Sequence, residues 1–598
     1  MIHKKECEMT EQKGTSLSRR NFIKGATIAG VGAAAVGLAG CQSDNTGTAE
    51  ASSNDVVLRP AVENWDHEAD IVVIGYGFAG QAAAIEADDL GSSVIVLDKA
   101  PREYIGGSSA ANVNYDFANL GPDPETNIKY VTSECWGTVD DPETIRMQIE
   151  ENHKLPEWFE SMGASIVWNY RRPTYNTIPG ADEMDVENNT FNAYPPQEYL
   201  DKFPSPDSGR SPWQEWWCDM LDEREIPLMC NTQATELIQN AATGEIVGVK
   251  ALTDVTFTKD FKQEEGGTEI FVKANKGVIV ACGGYEANHE MVGNFGPHTH
   301  SGYVSWYGGP LSTGDGLAMC TKVGAKLWHL NKKEAHSFSC RAASEELGGS
   351  QNVNFWAQQN TDTPSIIVNR LGKRFYNEYH FGGHSDQTRP WDYFNHKNDD
   401  VDDYNYADYP NIPFFAIFDD TTMKNKRIGI NTRFMQVMGV YRWSEDNLAE
   451  LDKGWIIQAD TLEELAGKIK IKNFFGEEVG MDADGLVETV AQYNEYCAAG
   501  EDAEFGRNPS SMLPLVTPPF YAMELCECQT NTQGGPKHNG HCQVLDAFDE
   551  PIPRLYVAGE LGSIYGHLYN GGENIPEASS GGRRAARHAN DLSAWDAV

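Results

Sequence analysis

Three glycines in the spacing Gly75-x-Gly77-x-x-Gly80 carry the clearest chemical signal in the sequence. A β-branched run, residues 70–74, precedes them, and an alanine-rich run that ends at Leu90 follows. In such a strand–turn–helix, the first glycine permits a tight turn, the second lets the backbone approach a pyrophosphate, and the third lets the helix pack closely on the strand. Because free N–H groups at a helix N-terminus attract anions, this turn predicts a dinucleotide site.

A carboxylate stands at the distance that such a site requires. The second apolar run, residues 93–97, ends at Asp98, and Lys99 follows. At the end of the second strand of a βαβ unit, a carboxylate can accept hydrogen bonds from the hydroxyls of a ribose. Strand, turn, helix, strand and acid occur together, which favours dinucleotide binding over a merely glycine-rich α/β turn.

Aromatic residues are dense between residues 161 and 225, with Trp168 and Tyr170 among them. The proline and glycine content of this stretch predicts long loops with one helix near residues 213–224. The aromatic side chains either pack around an insertion or form the wall of a pocket for a flat apolar substrate, and the sequence leaves both open.

Composition and charge restrict the partners. The chain has 598 residues and a formal net charge of −41, which disfavours nucleic acid and anionic membrane surfaces. Residues 18–24 match the twin-arginine export motif, and residues 38–41 resemble a lipoprotein box that would lipidate Cys41. The segment between them is too short to span a bilayer. We expect an exported, lipid-anchored protein with membrane contact through the lipid alone; an ordinary signal peptide with a chance cysteine is the alternative.

Twelve cysteines are scattered along the chain, and their spacing matches neither haem attachment nor ferredoxin. The one cluster is Cys526, Cys528 and Cys542. A metal or iron–sulfur role is possible there in principle, but buried or free thiols are the simpler interpretation, and we expect no metal site.

The order of apolar runs predicts the organisation of the chain. We expect an export signal over 1–40, a flexible tether over 41–66, and a first domain over 67–334 that carries the aromatic insertion 161–225. A more polar second domain follows over 335–525, in which residues 368–378 predict a strand–turn–strand and residues 462–497 a mostly helical segment. The chain returns to the first domain over 526–598. The predicted fold class is α/β, a Rossmann-like domain with an inserted α+β capping domain.

These pieces, in this order, resemble the FAD-binding family of fumarate reductases, succinate dehydrogenase flavoproteins and 3-ketosteroid dehydrogenases. Landmarks in register extend from Asp70 to Ala589. They are Gly75, Gly77, Gly80, Asp98, 106–108, 281–284, 313–316, 372–378, 534–535, 558–560 and 571–572. The resemblance implies FAD, and a mobile cap that closes over the substrate. Family members with covalent FAD carry a histidine near the Gly106-Gly107-Ser108 loop, and residues 109–112 contain none, so we expect noncovalent FAD.

The resemblance also implies which residues bind the cofactor. The final helix, expected from about residue 575 to residue 592, would direct its N-terminus at the flavin, and the strand that ends at 281–284 would return beneath the cofactor. The expected cofactor-binding residues are Gly75, Gly77, Phe78, Ala79, Gly80, Asp98, Lys99, Gly106, Gly107, Ser108, Ser109, Ala281, Cys282, Gly283, Gly284, Asp315, Gly559, Glu560, Asn574 and Ile575.

The substrate positions depart from those of fumarate reductases, which bind two carboxylates with two histidines and an arginine and donate a proton from a second arginine. His336 matches one histidine, whereas the other falls at Thr530 or Asn531. The binding arginine aligns with Tyr569 and the proton-donating arginine with Gly382. A dicarboxylate would lose most of its partners at a cost of roughly several kcal/mol, so fumarate is an unfavourable substrate.

The segment 566–573 instead resembles the ketosteroid dehydrogenase motif, in which a tyrosine and a backbone N–H hold a ketone oxygen. Here those groups would be Tyr569 and the N–H of Glu573. The family's tyrosine acid/base also aligns with Gly382, so the proton donor stays open among His336, Tyr379, His380, His384 and His567. We therefore expect substrate contacts from Tyr569, Glu573, His336, Thr530, Asn531, Trp168 and Tyr170.

The predicted function is reduction of a carbon–carbon double bond conjugated to a carbonyl group, with hydride from flavin N5 and electrons from an external carrier such as a cytochrome. By analogy with its family, such an enzyme would support anaerobic respiration on an organic acceptor. The nearest alternative is the reverse reaction, desaturation of a ketosteroid or similar ketone. A flavin-binding lipoprotein without turnover and a metal-assisted enzyme that uses the cysteine cluster are the remaining alternatives.

Overall fold

The computed structural model describes residue 62 and residues 64–596, except 112–114, 117–118, 204–210, 259–261, 265, 297–303, 307–308, 347–352, 356–361, 379–410, 432–440 and 473–477. The expected export signal, Cys41 and most of the expected tether lie outside the described residues, and so do His380, Gly382 and His384. Within the described part, no helix is both long and apolar enough to cross a membrane.

The strands are, in chain order, β1 (His67–Ile74), β2 (Val94–Leu97), β3 (Tyr115–Asp116), β4 (Ser165–Asn169), β5 (Thr190–Tyr194), β6 (Leu228–Met229), β7 (Gln233–Gln239), β8 (Ile246–Thr253), β9 (Thr268–Val280), β10 (Val304–Trp306), β11 (Leu327–Trp328), β12 (Lys333–Cys340), β13 (Val353–Phe355), β14 (Ser365–Asn369), β15 (Phe414–Asp419), β16 (Ile430–Asn431), β17 (Ile457–Ala459), β18 (Lys470–Lys472), β19 (Glu478–Gly480), β20 (Phe520–Thr532), β21 (Gly535–Pro536), β22 (Gln543–Leu545) and β23 (Pro551–Val557).

The α-helices are α1 (Phe78–Asp89), α2 (Pro124–Cys135), α3 (Pro142–Asn152), α4 (Leu155–Ser161), α5 (Ala181–Met184), α6 (Gln197–Lys202), α7 (Pro212–Glu223), α8 (His289–Phe295), α9 (Asp315–Lys322), α10 (Arg341–Glu346), α11 (Asp420–Asn425), α12 (Leu448–Asp452), α13 (Leu462–Lys468), α14 (Ala483–Ala499) and α15 (Asn574–Asn590).

The first sheet positions the dinucleotide turn. Its strand order is β22-β23-β9-β1-β2-β6, with β8 beside β9 and β7 beside β8. Strands β23, β9, β1, β2 and β6 run parallel, so their carboxyl ends meet at one edge of the sheet. Val72 and Val73 face opposite sides of β1 and are both fully buried, which explains why these strands are continuous apolar runs.

Helices α1 and α15 pack closely together beside this sheet. A β-carbon on Gly582 would lie 2.1 Å from the carbonyl oxygen of Ala79, so the glycine allows the two helix backbones to approach. Arg583 of α15 pairs with the buried Glu86 of α1 at 2.8 Å. The end of the chain therefore returns to the first glycine turn, as the sequence predicts.

The second sheet has the order β14-β15-β20-β12-β13-β16, with β10 and β17 also paired to β20. Its longest strand, β20, runs across the expected domain boundary between residues 525 and 526, and β12 begins before residue 335. One hydrophobic core contains Val278 of the first sheet together with Phe414 and Met523 of the second. A parallel sheet covered by helices and a second, mixed sheet agree with the expected α/β class; the residue limits of the domains stay a prediction.

The aromatic insertion contains more regular structure than its composition predicts. The expected helix is present as α7, but a small sheet of order β3-β5-β4 and the short helices α5 and α6 accompany it. Trp213 and Trp217 of α7 are buried in the core beside Phe159, so these tryptophans pack around the insertion.

One further expectation about secondary structure is wrong and another is confirmed. Residues 368–378 were expected to form a strand–turn–strand, but after β14 the chain only turns at Gly372 and forms no second strand. The expectation that residues 462–497 are mostly helical is confirmed by α13 and α14, which the hairpin β18–β19 separates.

Candidate active site

A cavity of about 500 Å³ lies at the carboxyl ends of the parallel strands of the first sheet. This is the edge at which open α/β sheets bind ligands. The cavity wall contains most of the expected cofactor residues. They are Gly75, Gly77, Phe78, Ala79, Asp98, Lys99, Gly106, Gly107, Ser108, Ser109, Ala281, Cys282, Gly283, Asp315, Gly559, Glu560, Asn574 and Ile575.

The two remaining cofactor residues lie behind the wall and shape it. A β-carbon on Gly80 would lie 1.9 Å from the carbonyl oxygen of Gly75, so Gly80 allows α1 to begin directly against the turn. A β-carbon on Gly284 would lie 2.2 Å from Oε1 of Glu560. Gly80 and Gly284 therefore permit close packing and are not cavity-lining residues.

The glycine turn leaves the N-terminus of α1 open towards the cavity. Gly75 has a φ of +95°, a conformation that glycine adopts without strain. Gly77 is the N-cap of α1 and supplies no side-chain cap. The N–H of Phe78 donates to Oγ of Ser109 at 3.1 Å, which fixes the small-residue loop against the turn.

Asp98 and Lys99 are both held in place by neighbouring groups. Oδ2 of Asp98 accepts from the N–H of Tyr76 and Oδ1 from the N–H of Ala100, both at 2.8 Å. Burial raises the pKa of Asp98 even though these N–H groups act to lower it. Nζ of Lys99 contacts Oδ2 of Asp315 at 3.0 Å, so this cavity cation already has an anionic partner.

Glu560 at the cavity wall and the buried Glu286 form a pair of carboxyl groups. Glu560 accepts from the N–H of Thr532 at 2.9 Å and shares a hydrogen bond with Glu286. Burial raises the pKa of Glu560 to about 6, and that of Glu286 lies well above its ordinary value. One proton shared by the pair is consistent with these directions.

The walls of the cavity fit FAD. A β-carbon added at Gly77 would lie 3.3 Å from Oγ of Ser109 and would narrow the space beside the turn. The N-terminus of α1 can bind a pyrophosphate, Asp98 can accept from a ribose, and Asn574 and Ile575 place the N-terminus of α15 at the same wall.

Tyr569 lines the same cavity and is 3% exposed. Its hydroxyl oxygen accepts from the N–H of Gly572 at 3.1 Å and from the N–H of Asn574 at 3.4 Å. Burial raises the pKa of Tyr569 well above its ordinary value, so the phenol keeps its proton at neutral pH. In both contacts the hydroxyl oxygen is the acceptor, and a phenol hydroxyl can donate its hydrogen as well.

The expected role of Glu573 needs correction. The N–H groups that contact the Tyr569 hydroxyl belong to Gly572 and Asn574, and Glu573 is not among the cavity-lining residues. Its Oε2 accepts from the N–H of Asn570 at 2.7 Å, and its carboxyl group shares a hydrogen bond with the buried Glu134. Burial raises the pKa of Glu573 to about 7.

Thr530 and Asn531 line the cavity, as expected. Thr530 Oγ1 and Asn531 Oδ1 are buried, and neither has a hydrogen-bond partner within the described structure. Nδ2 of Asn531 donates to Oδ1 of Asn574, so the side chain is oriented by the start of α15. Buried polar atoms without partners at a cavity wall indicate that a ligand supplies them.

The structure does not bring Trp168 and Tyr170 to the cavity. Their exposed fractions are 45% and 56%, because both lie on or beside the outer strand β4 of the small sheet. The hydroxyl of Tyr170 donates to Oδ1 of Asp185 at 2.6 Å. The expectation that they form a pocket wall is therefore wrong, and the neighbouring Arg171 lines the cavity instead.

The histidine candidates give less information. His336 lies in β12, which pairs with β20 close to Asn531, but its side chain is outside the described part of the structure. His380 and His384 lie in the stretch 379–410, which is not described. No site for a metal, built from three or more His, Cys, Asp or Glu side chains, occurs among the described residues.

Sequence reasoning missed several lining residues, because their side chains carry no motif and only the fold assembles them. They are Tyr104, Arg171, Thr232, Gln233, Ala234, Gly309, Pro310, Leu311, Ser312, Met319 and Ala578.

Comparisons with known proteins agree with this geometry. Residues 70–575 match the family model described as an FAD binding domain. The chain is 27% identical to digoxin reductase of Eggerthella lenta, over 97% of this chain and 98% of that protein. It is also 27% identical to the acrylate reductase flavoprotein subunit of Shewanella woodyi, over 96% and 98%.

A solved structure shares the fold. The 3-ketosteroid Δ1-dehydrogenase of Sterolibacterium denitrificans superposes with a TM-score of 0.67 at 20% identity, covering 88% of this chain and 99% of that one. Since the family match covers most of the chain and the cavity fits the cofactor, this protein belongs to the FAD-binding family of flavoprotein oxidoreductases, and FAD is its cofactor.

Proposed function

We propose that this protein reduces a carbon–carbon double bond conjugated to a carbonyl group. The observation that carries the proposal is Tyr569, a protonated phenol whose oxygen is fixed by two backbone N–H groups in the wall of the FAD cavity. A donor at this place can bind the carbonyl oxygen of a substrate and stabilise the negative charge that develops there during reduction.

Bound FAD would supply the hydride, which adds to the β-carbon of the substrate. A proton adds to the α-carbon, so the double bond becomes a CH–CH single bond and the substrate gains two electrons in total. Tyr569 would hold the carbonyl oxygen while its negative charge grows, and the wall of buried side chains would keep water from competing for that oxygen. The candidates for the proton donor are His336, Tyr379, His380, His384 and His567.

The named relatives support this reaction class. They are reductases of digoxin and of acrylate, and acrylate contains a double bond conjugated to a carboxylate. Noncovalent FAD, export, lipidation at Cys41, and electron delivery by an external carrier such as a cytochrome remain part of the proposal. Residues 18–24, 38–41 and 109–112 support export, lipidation and noncovalent FAD, respectively, and an exported flavoprotein would need an external carrier to reduce its flavin.

The test is anaerobic reoxidation of the reduced holoprotein by a panel of enones, unsaturated lactones and acrylates. We expect at least one to reoxidise the flavin with formation of the saturated product. The reverse reaction, tested with an artificial electron acceptor and saturated ketones, should be slower. Desaturation that is faster than reduction would indicate that the protein is a dehydrogenase. If no compound reoxidised the flavin, the proposal that the protein is such an enzyme would be refuted.

A further inference from the structure

Arg171 is a cation at the wall of the FAD cavity that no motif in the sequence indicates. It follows the exposed strand β4 of the aromatic insertion, yet its own side chain is half-buried. Lys99 is the other basic residue among the described lining residues, and it is paired with Asp315. Arg171 is thus the lining cation whose role the cofactor residues do not explain.

Two buried asparagines fix the backbone of Arg171. Nδ2 of Asn119 and Nδ2 of Asn189 both donate to its carbonyl oxygen, at 2.9 and 3.0 Å. Oδ1 of Asn189 accepts from its N–H at 2.9 Å. Asn119 is 5% exposed and Asn189 is fully buried, so the position of Arg171 is set by the core and not by solvent.

The segment that contains Arg171 is also joined to the chain at Tyr569. Nη2 of Arg171 donates to the carbonyl oxygen of Asn570 at 3.3 Å. The N–H of Thr174 donates to Oδ1 of Asn570 at 2.9 Å, and the hydroxyl of Tyr175 donates to the carbonyl oxygen of Tyr569 at 3.0 Å. The guanidinium group therefore lies beside the residue that follows the proposed carbonyl-binding tyrosine.

The charge of Arg171 is not neutralised by an ion pair with any described carboxylate. Glu573 senses that charge, but its carboxyl group is engaged by the N–H of Asn570 and by Glu134. The hydrogen bond to the carbonyl oxygen of Asn570 uses one of the five N–H groups of the guanidinium, so Arg171 retains donors for a ligand. A bidentate partner of matching geometry is a carboxylate.

We propose that Arg171 binds an anionic carboxylate on the substrate, so that the preferred acceptors are unsaturated monocarboxylates and not neutral ketones or esters. Both carboxylate oxygens would accept hydrogen bonds from the guanidinium group of Arg171, and one of them would also accept from the hydroxyl of Tyr569. This inference rests on the proposed reductase function and narrows its substrate class. A monocarboxylate needs fewer cationic partners than fumarate, and Arg171 of the aromatic insertion would supply one.

The experiment compares acids with their methyl esters, which share the double bond and differ by one charge. The pairs are acrylate with methyl acrylate and cinnamate with methyl cinnamate, assayed with wild type, Arg171→Gln and Arg171→Lys. The matched control is Arg172→Gln, since Arg172 is the next residue, is exposed and does not line the cavity. Binding of saturated 3-phenylpropionate to the oxidised holoprotein, followed by the flavin spectrum and by calorimetry, is a readout that needs no turnover.

We expect wild type to prefer the acids, although esters are intrinsically the more reactive acceptors. Arg171→Gln should lower kcat/KM for an acid by about 10- to 100-fold, mainly through KM, and change the ester by less than about threefold. Arg171→Lys, which keeps the charge but loses the bidentate geometry, should be intermediate. Arg172→Gln should leave kcat/KM unchanged for the acid and for the ester.

Equal losses for acid and ester in Arg171→Gln would overturn the inference, because Arg171 would then only join the insertion to Asn570. A preference for esters in wild type would also overturn it. If wild type reduces no double bond, the proposed function fails. Loss of 3-phenylpropionate binding in Arg171→Gln would even then support the carboxylate site. Unchanged binding of 3-phenylpropionate in Arg171→Gln would refute the carboxylate site. Should Arg171→Gln lose its flavin, the acid–ester comparison in Arg171→Lys decides by the same criteria.

Discussion

The hydroxyl oxygen of Tyr569 accepts a hydrogen bond from the N–H of Gly572, three residues further along the chain, at 3.1 Å. The turn therefore holds the phenol by its acceptor side, and both groups lie at the wall of the cavity. The same segment begins α15 at Asn574, whose N–H makes the second contact with the oxygen. The position of this donor is consequently determined by the backbone.

Tyr569→Phe should lower the rate of substrate reduction by roughly 10²-fold while the flavin content stays unchanged, because a preorganised donor to the developing charge is lost. Stopped-flow reoxidation of the reduced flavin measures this effect directly. Tyr565→Phe is the matched control, since its ring lies 5.9 Å from that of Tyr569 but does not line the cavity. Similar rates in both variants and wild type would contradict the proposed role of Tyr569.

Gly80→Ala should abolish FAD loading. The added β-carbon would lie 1.9 Å from the carbonyl oxygen of Gly75, so the backbone of the turn must move, at a cost of about 1–3 kcal/mol or more. The ratio of flavin to protein after purification and the Tm of the product measure the effect. Gly467→Ala in α13 is the control, because no atom lies within 4 Å of its added β-carbon, and alanine should stabilise that helix slightly. Full flavin content in Gly80→Ala would refute the role given to this glycine.

Local sequence patterns predicted the cofactor half of the site well. Gly75 to Gly80 and Asp98 belong to one continuous βαβ unit, in which strand, turn and helix fix each other's positions over about thirty residues. The last helix was expected from about residue 575 and begins at Asn574. Where a motif and its structural context lie together in the sequence, both fold and function can be read from it.

The substrate half of the site was less predictable, because it forms from distant segments. Arg171 reaches the cavity only because Asn119 and Asn189 hold its backbone, and those contacts span 52 and 18 residues of sequence. Trp168 and Tyr170 have the composition of a pocket wall, yet the small sheet turns them to solvent. Composition alone does not determine the side of a strand on which a residue lies.

A buried ion cluster in the second domain should control its stability. Arg374 forms a bidentate pair with Glu378, both bonds being 2.8 Å, and also contacts Asp502 at 2.9 Å. Arg374→Met would leave two carboxylates buried and without this cation, which should destabilise the protein by about 3–5 kcal/mol. Lys373→Met is the control, because its pair with Glu488 is exposed and should contribute at most about 1 kcal/mol.

Thermal unfolding of the two holoprotein variants at pH 7 compares these effects. We expect a clearly lower Tm for Arg374→Met and a Tm close to that of wild type for Lys373→Met. Equal Tm values for Arg374→Met and wild type would show that Arg507, whose Nη1 lies 3.8 Å from Glu378, is sufficient to neutralise the cluster.

His538 should make the protein less stable in mild acid. The ring is 6% exposed, its Nδ1 donates to the carbonyl oxygen of Asn539, and burial lowers its pKa to about 4. The unfolded chain takes up a proton near pH 6.5, whereas the folded protein does so only near pH 4. The stabilising contribution is therefore complete above about pH 6.5 and is lost as the pH falls towards 4, by about 3 kcal/mol in total.

His538→Gln removes this titration, so the difference in stability between wild type and variant should shrink as the pH falls from 7 to 4.5. Thermal unfolding at constant ionic strength measures the difference, and other buried groups cancel because they are present in both proteins. His67→Gln, at an exposed position on β1, is the control for the loss of an imidazole group that is not buried. A difference between His538→Gln and wild type that does not change with pH would mean that the imidazole is protonated at the same pH in the folded and unfolded protein. That result would contradict the expected effect of burying the ring beside Trp328 and the carbonyl group of Asn539.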